Sequence, residues 1–467
     1  MTWLAAFALG AATLAAAPAG TLDPSFGENG RVVIDHGPGF DVARAVLVQP
    51  DAKIVLAGSG TPNGGIVVTR LNADGAPDAG FGAGGTARID FGGAATGQAV
   101  ALQPDGKILV AGAMEPHLGG AGVVARLNRD GSLDSSFAGD GRLTLGFRRA
   151  VSVLVQPDGR IAVGGESDGD LTVVRLYPDG SPDGTVFDRA DFGGDDHHAV
   201  AALAPDGSIL VAGTSSRFDH SAIAVARFKP DGALDPAFGY RGKASVVHAN
   251  LGGVRSMGLS PDGRIVIVGF TADPFDIVVT RLRAGGRPDV AFGLEGTAEI
   301  DFGGRDMATG VVVQPDGAIV VGGITAVGHD MAAARLLPDG RLDPRFGSGG
   351  RATIDFGETD FAHAVALQPD GRVVLAGQTS LDGTMAVARL RADPPPCRAA
   401  IAGRASESQR AIHRVRVVAC ESCSHIPSPR SAAGSPASCA RPGTRCARSR
   451  TPRPRCSTAA IGVRTSS

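Results

Sequence analysis

The sequence predicts an all-β fold: a seven-bladed β-propeller of four-stranded antiparallel blades, its ring closed by the N-terminal strand pairing with the last blade. Three observations predict it. A stretch typified by "VALQPDGRVVLAGQT" (Val365–Thr379) occurs seven times; each copy belongs to a period near 54 residues holding four short strand-like runs; and the two chain ends carry complementary pieces of one copy.

The repeat rests on landmarks. The Asp of a Pro-Asp-Gly-like hairpin recurs at Asp51, Asp105, Asp158, Asp206, Asp262, Asp316 and Asp370, with last spacings of 56, 54 and 54. A Phe in "LDPSFG"-like segments recurs at Phe26, Phe81, Phe137, Phe187, Phe238, Phe292 and Phe346. An Arg ends a strand at Arg70, Arg126, Arg175, Arg227, Arg281, Arg335 and Arg389.

Within one period the runs are "AVALQ" (99–103), "KILVAG" (107–112), "GVVARL" (122–127) and "GRLTLGF" (141–147), labelled strands A to D. Each is rich in apolar and β-branched residues and is bounded by Gly, Pro or Asp. In the A–B turn Pro presets φ, Asp accepts a hydrogen bond from nearby backbone, and Gly tolerates positive φ. Ala52 replaces that Gly in the first copy, at a cost of about 1 kcal/mol. Strand A is apolar on both faces, as in Val311–Val313, which suits burial between stacked blades.

Strands A, B and C each occur seven times, but no D follows the last C, "MAVARL" (385–390). The chain instead opens with an unpaired D, "GRVVIDHG" (30–37). Pairing these two closes the circle and removes exposed sheet edges. The segments "QPDGKILVAG", "VARLNRDGSLDSSF" and "LDPSFGENGR" together resemble the delta-60 repeat of exported bacterial proteins, over about Thr21 to Asp393. That resemblance implies a β-propeller and brings no established catalytic residues.

Flanking this body are two segments of different character. Residues 1–19 hold an apolar run from Trp3 to Ala17 followed by a small-x-small pattern, as expected of a signal peptide for export, although no Lys or Arg precedes the run. Residues 394–467 contain 13 Arg, no Lys, two carboxylates and all six Cys of the chain. This Arg/Ser/Pro/Cys-rich tail is expected to be disordered, whether genuine or translated out of frame. Because the net charge is only −2, the body is acidic, which argues against nucleic-acid binding. The body has no Cys and hence no disulfide or thiolate site, and no further stretch is long enough to span a membrane.

The seven strand-C arginines are read as structural, paired across the sheet with the strand-D carboxylates Asp35, Asp90, Asp191, Asp301 and Asp355. The "NADGAPD" (72–78) and "NRDGSLD" (128–134) segments have calcium-loop spacing, but turn chemistry accounts for every copy.

Function is sought where the copies differ. The A–B and C–D connections are near-identical and share one face; the B–C and D–A connections vary and share the other. That variable face offers Asp195, Asp196, His197, His198, Asp219, His220, His329, Asp330, Asp360 and His363, besides His117. His and Asp can bind metal or move protons, yet no ligand spacing such as His-x-x-x-His is present, and a solvated polar loop explains them as well. Seven residues before each hairpin Asp stand Arg44, Gln98, Val151, Ala199, Arg255, Thr309 and His363, a set that suits a polar, anion-tolerant funnel better than a metal cage.

The expectation is an exported, non-catalytic, monomeric scaffold that binds a protein or small-molecule ligand through the variable face and needs no cofactor. The alternative is a hydrolase or lyase using the His/Asp loops, with or without a metal.

Overall fold

The computed structural model describes residues 17–60, 64–114, 120–167, 170–186, 190–216, 221–248, 250–380 and 383–394. The leader up to residue 16, the tail from residue 395, His117, Phe187, Asp219 and His220 therefore lie outside the described residues, as do the side chains of Asp195 and His198.

Seven four-stranded antiparallel sheets form the ring. Blade 1 comprises A (Val42–Val48), B (Ile54–Gly60), C (Gly65–Leu71) and D (Thr86–Ile89), and blades 2 to 6 repeat that order along the chain. Blade 7 takes A (Asp360–Leu367), B (Val373–Thr379) and C (Thr384–Leu390) from the end of the propeller, and its D strand is Arg31–Ile34. The closing register places Arg31 opposite Ala388 and Ile34 opposite Met385, the predicted pairing.

The hairpin chemistry is as read. Asp105 Oδ1 accepts the Lys107 N–H (3.0 Å) and Asp370 Oδ1 accepts that of Arg372 (3.1 Å), two residues on in each case. Ala52 adopts φ +65° where other copies place Gly.

Burial departs from expectation in one respect. Strands B and C, rather than A, are the ones enclosed on both faces: every residue of Gly122–Leu127 and Ile277–Leu282 is buried, whereas Val312, Val313, Leu154 and Val155 of the A strands are only half-buried. Strand A runs along the open axis, so one of its faces looks into a channel instead of a neighbouring blade. Strand A also begins earlier than its apolar run implies; in blade 2 it starts at Ala95.

The strand-C arginines are structural, but their carboxylate partner is not on strand D. Each reaches the Asp eight residues on, in the "LDPSFG" segment: Arg70 Nε to Asp78 (2.6 Å), Arg126 Nε to Asp134 (2.6 Å), Arg281 Nε to Asp289 (2.9 Å) and Arg335 Nη2 to Asp343 (2.9 Å), with Arg175–Asp183 and Arg227–Asp235 equivalent. Strand-D aspartates instead cap their own turn, as where Asp90 Oδ1 accepts the Gly92 N–H (2.7 Å). The LDxxF segment folds back beside strand C, which brings its Asp closer than the solvent end of strand D.

Each guanidinium also reaches the next blade, as Arg70 Nη1 does to the Arg129 carbonyl (2.6 Å) and Arg281 Nη1 to that of Pro338 (2.6 Å). Beneath it lies the fully buried Phe of the same repeat, with Arg70 4.5 Å from the Phe81 ring centre. One Arg thus ties together a strand, a folded-back segment, an aromatic plug and the neighbouring blade.

The seventh junction uses the chain start. Gly347 N–H donates to the Ala19 carbonyl (2.7 Å), the place taken elsewhere by Asp74, Asp130 or Asp339, and Ala19 is buried against Phe346. Ala19, the last residue of the leader segment, is therefore built into the ring. No helix among the described residues is long and apolar enough to cross a membrane.

Candidate functional site: an axial basin on the variable face

The A–B pairing of every blade is interrupted at one equivalent place, and blade 5 carries a second shift between Leu251 and Gly253. Register shifts fall between Ala43 and Ala45, Gly97 and Ala99, Ala150 and Ser152, His197 and Val200, Val254 and Ser256, Ala308 and Gly310, and Ala362 and Ala364. The residues skipped by the ladder include Arg44, Gln98, Val151, Ala199, Arg255, Thr309 and His363. These are the seven positions singled out by their spacing from the hairpin. A β-bulge leaves one residue unpaired and re-aims its side chain. Here all seven line one axial cavity of about 670 Å³.

The bulge has a partner signal in strand B. Opposite it stands a glycine whose added Cβ would lie 1.7 Å from the Val42 carbonyl oxygen (Gly58), 2.1 Å from that of Thr96 (Gly112) or 1.7 Å from that of Phe361 (Gly377). The repeated Gly of "KILVAG" is therefore demanded by the bulge, a link the sequence displays but does not explain.

The basin's charge is dominated by arginine. Arg44, Arg149 and Arg255 line it, with Glu166 the one carboxylate among the described lining residues. Arg149 and Glu166 escape notice in the sequence because they precede the bulge and lie on strand B, respectively. Glu166 Oε1 accepts the Ala199 N–H (3.1 Å), so part of its capacity serves the bulge. Burial and then the nearby Arg149 lower the pKa of Arg255, whose guanidinium lies 5.1 Å from the Phe270 ring centre. His363 is pushed down to about 4 by burial and by Arg44, so it is neutral at pH 7; its Nε2 is 3.4 Å from Gln378 Oε1. Thr309 is occupied with the scaffold, donating to the Ala362 carbonyl (2.8 Å).

The predicted His/Asp set does not converge on this basin. Only His363 among its described members lines the cavity. His329 sits at the outer rim, where its backbone has φ +58° and its carbonyl accepts the Asp360 N–H (2.6 Å). Three separate carboxylate clusters stand at the rim: Asp170, Asp191 and Asp196; Asp276, Asp301 and Asp306; and Asp330, Asp355 and Asp360; of the predicted residues, Asp196 belongs to the first and Asp330 and Asp360 to the third. In each cluster one oxygen per residue lies within 4.8 Å of the others, so these are the described residues with metal-holding geometry.

Six segments of the chain, residues 49–81, 103–137, 156–185, 204–238, 260–292 and 314–346, match the family model described as "Domain of unknown function (DUF5122) beta-propeller". Apart from 156–185, each match runs from the A–B hairpin to the buried Phe. The matches support a β-propeller repeat family. No curated protein matches the chain. Solved structures similar to it include Sqt1 from Chaetomium thermophilum (16% identity, covering 74% of this chain and 81% of that one, TM-score 0.45). A protein from Lactobacillus plantarum (15%, 73% and 96%, 0.46) and one of unknown function from Dyadobacter fermentans (12%, 79% and 100%, 0.42) are also similar. At these identities and scores the likeness carries no inference about function.

Proposed function

Taking the chain as a member of a β-propeller repeat family, we propose that it is an exported, non-catalytic scaffold that binds a small anionic ligand through the face carrying the B–C and D–A connections. The observation that carries this reading is the gathering of Arg44, Arg149 and Arg255 around one axial cavity with a single carboxylate, Glu166, among its described lining residues. Guanidinium groups match carboxylate and phosphate oxygens in both charge and fork geometry. In a half-enclosed basin their attraction is screened less than on an open surface. The apolar leader Trp3–Ala17 and the likeness of the repeats to delta-60 proteins support export. Rigid bulges position the binding side chains, and nothing in the reading requires a nucleophile or a proton carrier.

The test is calorimetric titration of the protein with citrate and with inorganic phosphate, repeated on Arg44→Ala and Arg255→Ala. Saturable binding of at least one anion, weakened about tenfold or more by each substitution, is expected; a tenfold loss corresponds to about 1.4 kcal/mol. Failure of both anions to bind, or equal binding by the variants, would refute the assignment.

A further inference from the structure

Three of the D–A corners, where one blade hands the chain to the next, collect more negative charge than the corner needs. We propose that the junctions between blades 3 and 4, 5 and 6, and 6 and 7 each hold a divalent cation, best matched by calcium, between Asp170, Asp191 and Asp196, between Asp276, Asp301 and Asp306, and between Asp330, Asp355 and Asp360.

The geometry is shared. One carboxylate stands at or just before the start of strand C, one follows strand D and one stands at or next to the start of strand A of the next blade. Their nearest oxygens fall within 4.8 Å of one another. Calcium–oxygen bonds of about 2.4 Å allow two ligands of one ion to stand up to about 4.8 Å apart. Magnesium, with bonds near 2.1 Å and strict octahedral demands, requires a tighter set, and an all-oxygen site does not favour zinc.

A second observation is independent of the clustering. The strand-A member is the most buried: Asp196 is 2% exposed, and Asp306 and Asp360 are 0% exposed. Each spends Oδ2 on a backbone N–H of its own loop, from Phe192 (2.9 Å), Phe302 (2.6 Å) and Phe356 (2.6 Å) respectively. In all three the other oxygen, Oδ1, is buried without a hydrogen-bond partner. The hydroxyls of Ser215 and Thr379 lie near Asp196 and Asp360, but neither makes a hydrogen bond of ordinary geometry. A buried carboxylate oxygen left without a donor is costly, and a cation is the partner that three converging carboxylates accept together.

Blade 1 supplies an internal comparison. Its corner has Gly65, Asp90 and Ala95 at the three positions, yet folds the same way. Ala95 N–H donates to the Gly64 carbonyl (2.6 Å), as Asp306 N–H does to Phe275 (2.5 Å) and Asp360 N–H to His329 (2.6 Å). Asp90 caps Gly92 as Asp301 caps Gly303. The corner therefore folds with the strand-D carboxylate alone, and turn chemistry leaves the strand-C carboxylate and the Oδ1 of the strand-A carboxylate unexplained. Among the described residues, no Lys or Arg forms an ion pair with any of the six carboxylates of the latter two clusters.

The full chain, stripped with chelator, is titrated calorimetrically with calcium chloride and separately with magnesium chloride. Saturable calcium binding near three ions per chain is expected, with magnesium weaker. Asp170→Asn, Asp276→Asn and Asp330→Asn should each remove about one ion, or weaken one site about tenfold or more. The melting temperature of each variant without calcium should equal or exceed that of the stripped parent, because like charge is relieved. Absence of saturable calcium binding by the parent overturns the proposal, as does unchanged stoichiometry and affinity in the variants. Tighter magnesium binding overturns the choice of ion, and a lower melting temperature of the calcium-free variants shows that the carboxylates serve the turn instead.

Discussion

Two guanidinium nitrogens of Arg389, Nε and Nη2, hold the same carboxylate oxygen of Asp23, each at 2.9 Å, across 366 residues of sequence. Six other junctions make the equivalent contact within a single repeat; this one joins the two ends of the propeller. Asp23 N–H also donates to the Arg389 carbonyl (2.8 Å), and Ser25 Oγ accepts from Nη2 (3.0 Å). Asp23→Ala leaves a buried guanidinium without its charge partner, and removing one member of such a pair costs about 3–5 kcal/mol. Chemical denaturation should show a loss in that range, with earlier opening of strand Arg31–Ile34 in hydrogen exchange. An equal protection pattern in parent and variant would disprove the closure role.

The same ion pairs set the acid limit. Asp78 is drawn down to about 2, chiefly by the hydrogen bond from Lys53, with Gly80 N–H and Arg70 adding to it against the opposing effect of burial. At Asp23 burial pushes upward, but Ser25, Arg389 and Arg372 outweigh it and hold the group below the usual range. The unfolded chain binds these protons near pH 4, so it takes them up first on acidification. Their stabilisation is complete above about pH 4 and is lost as pH falls towards 2. Melting temperature measured across that window should fall steeply, and the fall should be shallower in Asp78→Asn.

Strand-B glycines answer to the bulge. Gly377→Ala puts a Cβ 1.7 Å from the Phe361 carbonyl oxygen, and the loss is expected at about 1–3 kcal/mol or more by denaturant titration. Ala52→Gly has the opposite sign. It relieves an alanine held at φ +65°, and after the entropic cost of glycine a gain of up to about 0.5 kcal/mol remains. A destabilised Ala52→Gly protein would contradict the turn assignment.

His363 links the basin to pH. The unfolded chain protonates this group near 6.5, the folded chain only near 4, so the ligand-free protein loses stability as pH falls through that interval. An anion bound in the basin would raise the folded value. Affinity for sulfate, which remains a dianion throughout, should therefore rise between pH 6.5 and 4 and lose that dependence in His363→Gln. A pH-independent affinity in the parent would separate His363 from the binding site.

The chain start is structural from Ala19 onward. A protein beginning at Thr21 loses the Ala19 carbonyl that accepts the Gly347 N–H and the Gly20 N–H that donates to the Arg391 carbonyl (3.0 Å). Relative to one beginning at Ala17, it should be less stable by about 1–3 kcal/mol for two hydrogen bonds and the packing on Phe346. Equal denaturation midpoints would show that residues 19 and 20 contribute nothing.

Blade number, strand order, closure by Arg31–Ile34 and the conformation of the A–B turns were all legible in the sequence, because each depends on local turn chemistry or on counting a regular period. The ring of axial residues was legible too, since every bulge lies at one fixed distance from its hairpin. Tertiary structure alone decided where the charges meet. The strand-C arginines found the aspartate eight residues on, because the LDxxF segment folds back beside strand C. Arg149 and Glu166 entered the basin from positions that carry no repeat signature. Asp276, Asp301 and Asp306 converged because the D–A link carries the third of them into the next blade. Contacts of that kind depend on how neighbouring sheets stack around the axis, and no spacing along a single chain records that distance.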